Sequence, residues 1–168
     1  HVAAPYAGAA RVYSWDGDQW VQKGASFLGS EQGDEYGLDM EMDASGNRVI
    51  ISSNKDGNGQ VFVYQWQDTS WVQVGQTLGP PSSVYNFGWS VDISATGQSI
   101  VVGAIQNVSQ PLLAGKTFVF DLNADDWVQR GNAITGEDAQ DKSGYCVSIS
   151  DYGDLVAIGS PENDDAAT

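Results

Sequence analysis

Trp20-Val21-Gln22-Lys23-Gly24, Trp71-Val72-Gln73-Val74-Gly75 and Trp127-Val128-Gln129-Arg130-Gly131 are three writings of one pentad. The tryptophans stand 51 and then 56 residues apart, a second glycine follows each by 17 residues (Gly37, Gly88, Gly144), and a third comes 9 later (Gly46, Gly97, Gly153). Fixed offsets inside the unit with a variable gap between units mean that one supersecondary module is being stacked, its insertions confined to a connecting loop.

Working outward from the pentad, the stretch before it alternates large residues with valine: Arg11-Val12-Tyr13-Ser14-Trp15, Phe62-Val63-Tyr64-Gln65-Trp66 and Phe118-Val119-Phe120-Asp121-Leu122. Period 2 makes this a strand with both faces apolar at its centre, and a short polar turn folds it against the Trp-Val-Gln strand as a hairpin. After the second glycine a third strand alternates apolar with polar residues (Leu38, Met40, Met42 against Asp39, Glu41, Asp43; Trp89, Val91, Ile93 against Ser90, Asp92, Ser94; Tyr145, Val147, Ile149 against Cys146, Ser148, Ser150). This pattern predicts one core face and one polar face. Asp43, Ser94 and Ser150 open a turn around the third glycine, and a continuously apolar fourth strand follows: Val49-Ile50-Ile51, Ile100-Val101-Val102-Gly103-Ala104 and Leu155-Val156-Ala157-Ile158-Gly159. Unbroken apolarity predicts burial on both faces. No stretch has helical periodicity.

Four antiparallel strands per unit, two of them buried on both faces, is what the blade of a β-propeller requires when it is sandwiched between neighbours. The sequence therefore predicts an all-β chain of propeller blades: a leading strand in residues 1–9 and three modules at 10–60, 61–116 and 117–168. Phe87-Gly88 followed by Gly103-Ala104 resembles the FG-GAP repeat of integrin α-subunit propellers, with echoes at Tyr36-Gly37, Ala4-Pro5 and Gly159-Ser160-Pro161. The pentad makes the chain similar to FG-GAP-like repeats of large secreted or surface proteins. That resemblance implies a propeller larger than three blades. The chain, which starts and stops within a repeat, then reads as part of such a propeller or as one completed by other chains, because open sheet edges invite pairing. The calcium loop common in integrin repeats is not written at the corresponding turns, which read Asp43-Ala44-Ser45-Gly46, Ser94-Ala95-Thr96-Gly97 and Ser150-Asp151-Tyr152-Gly153.

Composition narrows the function. Seven basic against 22 acidic side chains give a net charge of -15, which repels nucleic acid and anionic membrane surfaces. No apolar run approaches the roughly 20 residues of a spanning helix, so direct membrane insertion is not expected. The single Cys146 excludes an internal disulfide framework; it aligns with Asp39 and Ser90, and an inert, partly buried thiol is expected. Asn107-Val108-Ser109 is a glycosylation sequon, used only along a secretory route.

Asn54-x-Asp56-x-Asn58-Gly59 places oxygen ligands at positions 1, 3 and 5 with glycine at 6, which is how a calcium loop begins. The same letters form ordinary turns, and no distant bidentate acid completes the loop. Asn163, Asp164 and Asp165 form a matching acidic loop. The long connection after the pentad carries Glu31, Asp34 and Glu35 in the first module and Glu137, Asp138 and Asp141 in the third, whereas the second substitutes Pro80 and Pro81. Asp34 and Asp141 both stand three residues before the second glycine, where a carboxylate can bind the loop's own backbone. His1 is the only histidine and has no serine or cysteine partner in context, which leaves no nucleophilic triad. Five of the six tryptophans occupy repeat-equivalent strand positions and are expected in the core. Partner-binding residues are expected from variable loops, including Tyr85, Asn86 and the insertion around Leu112.

These readings converge on a non-enzymatic binding or scaffold module of an extracellular, cell-surface or lumenal protein, presenting loops to a protein or glycan partner, with calcium as its one candidate cofactor. The alternatives are a purely structural subunit or spacer, and a non-catalytic part of a propeller enzyme such as a glycan-active one.

Overall fold

The computed structural model describes residues 5–54, 58–81, 84–105 and 114–164. It is all-β, with no helix and 48% strand. The strands in chain order are β1 (Ala9–Ala10), β2 (Tyr13–Trp15), β3 (Trp20–Gln22), β4 (Phe27–Leu28), β5 (Met40–Met42), β6 (Arg48–Ser53), β7 (Gln60–Gln67) and β8 (Ser70–Gln73). They continue as β9 (Phe87–Ile93), β10 (Ser99–Ala104), β11 (Lys116–Asn123), β12 (Asp126–Gln129), β13 (Ile134–Thr135), β14 (Cys146–Ile149) and β15 (Val156–Gly159).

Every strand pairing is antiparallel. One sheet has the order β5-β6-β7-β8, a second has β9-β10-β11-β12 with β13 also on β11, and β2-β3, β14-β15 and β1-β4 form pairs. None of the sheets closes on itself among the described residues. Sequence repeat and sheet are out of phase: each complete sheet takes its first two strands from one copy of the repeat and its last two from the next. The reason lies in the fourth strand. Its free edge meets the first strand of the following module, so Val49 pairs with Tyr64 and Ile100 with Phe120.

The β5-β6, β9-β10 and β14-β15 turns are the same turn. Each third glycine donates its N–H to the carbonyl of Asp43, Ser94 or Ser150, at 3.0, 2.8 and 2.8 Å. Gly46, Gly97 and Gly153 all hold a positive φ, between 66° and 75°, which glycine adopts without the Cβ penalty. The opening side chain then accepts from the far arm, as Asp43 Oδ1 does from Arg48 N at 2.9 Å and Ser94 Oγ from Ser99 N at 3.1 Å.

The first two fourth strands are buried on both faces, as their unbroken apolarity predicts, with Val49, Ile50, Ile51, Ile100, Val101 and Val102 all fully buried. The third departs from the expectation: Leu155 is exposed and no residue of β15 is fully buried. Alternate residues serve different layers. Ile50, Ile100 and Val102 join Phe87, Val91, Phe118 and Trp127 in the largest core, while Val49 and Ile51 pack with Phe27, Tyr64 and Trp71, and Val101 packs with Val147 and Ile149.

The polar face of the third strand also bonds one sheet to the next, and two other expectations are corrected. Asp39 Oδ2 accepts Val91 N at 2.8 Å, Ser90 Oγ accepts Val147 N at 3.2 Å, and Asp92 Oδ2 accepts Ile149 N at 2.7 Å. Cys146 is exposed rather than partly buried, because no strand among the described residues covers the flank of β14. The tryptophans do not share one environment: Trp127 is 2% exposed, Trp71 is half-buried, and Trp15 and Trp20 are 55% and 67% exposed.

The buried ones explain the pentad. The Trp71 indole N–H donates to the carbonyl of Lys23 at 2.8 Å, and that of Trp127 to the carbonyl of Val74 at 3.0 Å. A Cβ on Gly24 would stand 2.9 Å from Trp71 Cδ1, and one on Gly75 would stand 2.7 Å from Trp127 Cδ1. The fifth residue of the first two pentads is thus glycine because the next pentad's indole lies on it. A cation spans the same joint in every copy. Lys23 Nζ reaches the Gly46 carbonyl at 3.2 Å, and Arg130 binds the carbonyl of Gly153. Where the second pentad has Val74, Arg48 on β6 supplies the cation to Gly97 instead.

Candidate functional site

The loop between β4 and β5 shapes a cleft of about 230 Å³ lined by Phe27, Ser30, Asp34, Tyr36, Phe62 and Tyr64 among others. Its aromatic wall follows from the alternation of β7, which places Phe62 and Tyr64 on one face. The two rings are nearly parallel, with an interplanar angle of 17°. Phe27 on β4 meets Tyr64 at 4.6 Å between centroids, and Tyr36 meets Phe62 at 5.1 Å. The Tyr36 and Tyr64 hydroxyls share a hydrogen bond of 2.8 Å. Burial first, and that bond second, raise the Tyr36 phenol above its ordinary range, so it stays neutral.

Asp34 supports the polar side and is only 6% exposed. Its Oδ2 accepts the backbone N–H groups of Ser30 at 2.8 Å and Glu31 at 2.9 Å, the local backbone bonding that its position implies. Its carbonyl accepts the Ser53 hydroxyl at 2.8 Å and Asn54 N at 3.0 Å, tying the loop to the end of β6. The loop is also bound to the preceding segment, with Glu35 N on the Tyr6 carbonyl and Tyr36 N on that of Ala7, both at 3.0 Å.

The third module has a cleft at the same repeat position, whose lining residues include no aromatic side chain. Its volume is about 410 Å³, and it is lined by Ile134, Glu137, Asp141, Ser143, Ile158 and Asn163, among others. Asp141, 2% exposed, again binds its own loop through Asp138 N at 2.8 Å, and it accepts Asn163 Nδ2 at 3.2 Å. In the second module Leu78 and Val84 are buried in the same core cluster as Phe87, and they flank the stretch that carries Pro80 and Pro81. The two clefts stand beside the acid-rich loops of modules one and three.

The calcium-loop residues lie partly outside the described residues. Asp56 is among those not described, Asn54 donates its amide to Glu35 Oε2 at 3.0 Å, and Asn58 is exposed, with its carbonyl accepting Phe87 N at 3.1 Å. No three His, Cys, Asp or Glu side chains converge in a metal-binding group among the described residues. Asn107 of the sequon, Leu112, Asp165 and His1 also lie outside the described residues. Tyr85 and Asn86, expected at a partner surface, are half-buried. The aromatic wall was missed because Phe62 and Tyr64 read equally well as core; the signal available was the contrast between the acidic and proline loops.

Among the described residues, no helix is long and apolar enough to cross a membrane. No protein-family model and no curated protein matches the chain.

Proposed function

We propose that the chain is a non-enzymatic binding module, built as consecutive blades of an FG-GAP-like β-propeller, and that its loop-side clefts receive a glycan. The observation that carries this reading is the Phe27, Tyr36, Phe62, Tyr64 cleft beside Asp34, with its counterpart at the same repeat position in module three. Aromatic faces contact the apolar faces of sugar rings, and serine and tyrosine hydroxyls satisfy the ring hydroxyls at the rim. Each buried carboxylate is engaged by the backbone of its own loop, which favours a rigid recognition surface over acid-base chemistry. Such a module suits an extracellular, surface or lumenal setting, where glycans are met; calcium at Asn54, Asp56 and Asn58 is a further proposal within it.

The test is a glycan-array screen of the purified chain, followed by calorimetric titration of the best ligand. Specific binding is expected, weakened roughly tenfold or more by Phe27→Ala, as loss of an aromatic anchor predicts. Absence of glycan binding, or equal affinity in the variant, contradicts the cleft reading.

A further inference from the structure

The first two modules can be laid residue on residue, because β6 pairs with β7 and β10 with β11 in one register: Ile51 stands opposite Phe62 as Val102 does opposite Phe118, and Val49 opposite Tyr64 as Ile100 opposite Phe120. On this alignment Tyr64 takes the place of Phe120. Tyr36, directly before the second glycine of its module, takes that of Phe87. The ring packing is common to both copies, since Tyr36 meets Phe62 at 5.1 Å between centroids and Phe87 meets Phe118 at 5.6 Å. Phe87, Phe118 and Phe120 are all buried in the largest core, so the rings alone satisfy the fold. The two phenolic hydroxyls of module one are additions to it.

Those hydroxyls belong to the cleft between β4 and β7. Tyr36 and Tyr64 both line it and are half-buried, and their oxygens stand 2.8 Å apart in one hydrogen bond. Two phenols bonded to each other spend one O–H between them, which leaves the second O–H and the oxygen lone pairs for a ligand. Their separation is also that of two gauche hydroxyls on adjacent carbons of a sugar ring. Set face to face, the two pairs close a cycle of hydrogen bonds in which every hydroxyl donates once and accepts once. Removing either sugar hydroxyl opens the cycle and leaves a phenol without its partner. Burial of Tyr36 keeps its phenol protonated, as the cycle requires. The Phe62 ring, nearly parallel to that of Tyr64 at 17°, extends an apolar surface beside the pair for the C–H face of the same sugar. The cleft is internal to the stack: β4 pairs with β1 on one side of it, and β7 pairs with β6 and β8 on the other.

With the glycan reading of the cleft as premise, we infer that the Tyr36-Tyr64 hydroxyl pair is its specificity element and reads a vicinal diol, two free gauche hydroxyls on adjacent carbons of a neutral pyranose. A sugar whose adjacent hydroxyls are substituted or missing keeps its contact with the aromatic wall and loses the cycle. The preference between two such sugars therefore reports on the pair, whereas the affinity common to both reports on the wall.

The test is an NMR titration of the 168-residue chain with the methyl α-glycosides of glucose, mannose and galactose, each beside its 3-deoxy analogue. Loss of the 3-hydroxyl leaves no two free hydroxyls on adjacent carbons and changes neither ring nor charge. At least one parent glycoside is expected to bind in the millimolar range that a single sugar ring allows. It binds about tenfold more tightly than its 3-deoxy form, as loss of one bonded hydroxyl in a partly desolvated site predicts. Tyr36→Phe and Tyr64→Phe each restore the residue type of module two, and circular dichroism verifies that both keep the wild-type fold. Each is expected to weaken the parent about tenfold and leave the 3-deoxy sugar nearly unchanged, so that the preference disappears. Phe27→Ala, which removes part of the wall, weakens both sugars alike and keeps the preference. Absence of binding by every parent glycoside would overturn the glycan reading and the diol reading with it. Equal binding of parent and 3-deoxy sugars, or a preference that survives in both tyrosine variants, would overturn the diol reading alone.

Discussion

At the residue scale, the pentad is a joint rather than a core motif. Its tryptophan serves the preceding module and its glycine serves the following one, so conformational freedom and lack of a side chain are both needed at position five. Exact copying also exposes where copies differ. Thr117 occupies the place that Val61 holds in the previous module, both fully buried, yet Thr117 Oγ1 finds no hydrogen-bond partner among the described residues. A buried hydroxyl without a partner costs about 1 to 3 kcal/mol. Thr117→Val restores the repeat residue at nearly the same volume and is expected to stabilise the chain by about 1 kcal/mol in urea unfolding. Destabilisation of that size instead would mean that the hydroxyl is bonded.

At the element scale, the third strands carry the electrostatics. Asp39, Glu41 and Asp92 crowd one flank where β5 meets β9. Burial first, then repulsion by Asp92 and Asp39, raises the Glu41 pKa above 4.5. The folded state therefore holds that proton more tightly than the unfolded chain, and stability is gained as pH falls through the raised value. Asp121 behaves oppositely: burial pushes its pKa up, but hydrogen bonds from Arg130 and Ser99 and the Arg130 charge prevail, leaving it below 3.8. Its stabilisation is complete above that value and is lost on further acidification. The Glu41 contribution to the thermal midpoint is thus expected to grow as pH falls from neutrality and the Asp121 contribution to be lost on stronger acidification, with Glu41→Gln reducing the rise. A Glu41→Gln midpoint that follows the wild-type pH dependence would contradict this picture.

At the scale of the whole molecule, much was legible because period and offset are written in the chain. Alternation around Val63 and Val119, the unbroken apolar run at Ile100 to Ala104 and the glycine turns at 46, 97 and 153 translate directly into strands and hairpins. The phase of the sheet was not legible, since a repeat has no marked origin and pairing across Gln60 to Lys116 is decided by edges rather than by local letters. Exposure of Trp20 and burial of Trp127 were equally hidden: pentads alike in all but their fourth residue differ in which groups lie against their indole. The cleft, likewise, depends on which loop stands in front of the same strand, and only Pro80-Pro81 against Asp34 and Asp141 hinted at it.

Stacking of successive modules through the tryptophan joint is the claim on which the binding scaffold rests. Its most direct test is hydrogen exchange at the indole N–H groups, followed by NMR on dilute, monomeric protein. The account predicts slow exchange at Trp71 and Trp127, bonded to the Lys23 and Val74 carbonyls, and fast exchange at the exposed Trp20. Equal exchange at all three, or a protected Trp20 in the monomer, would contradict it.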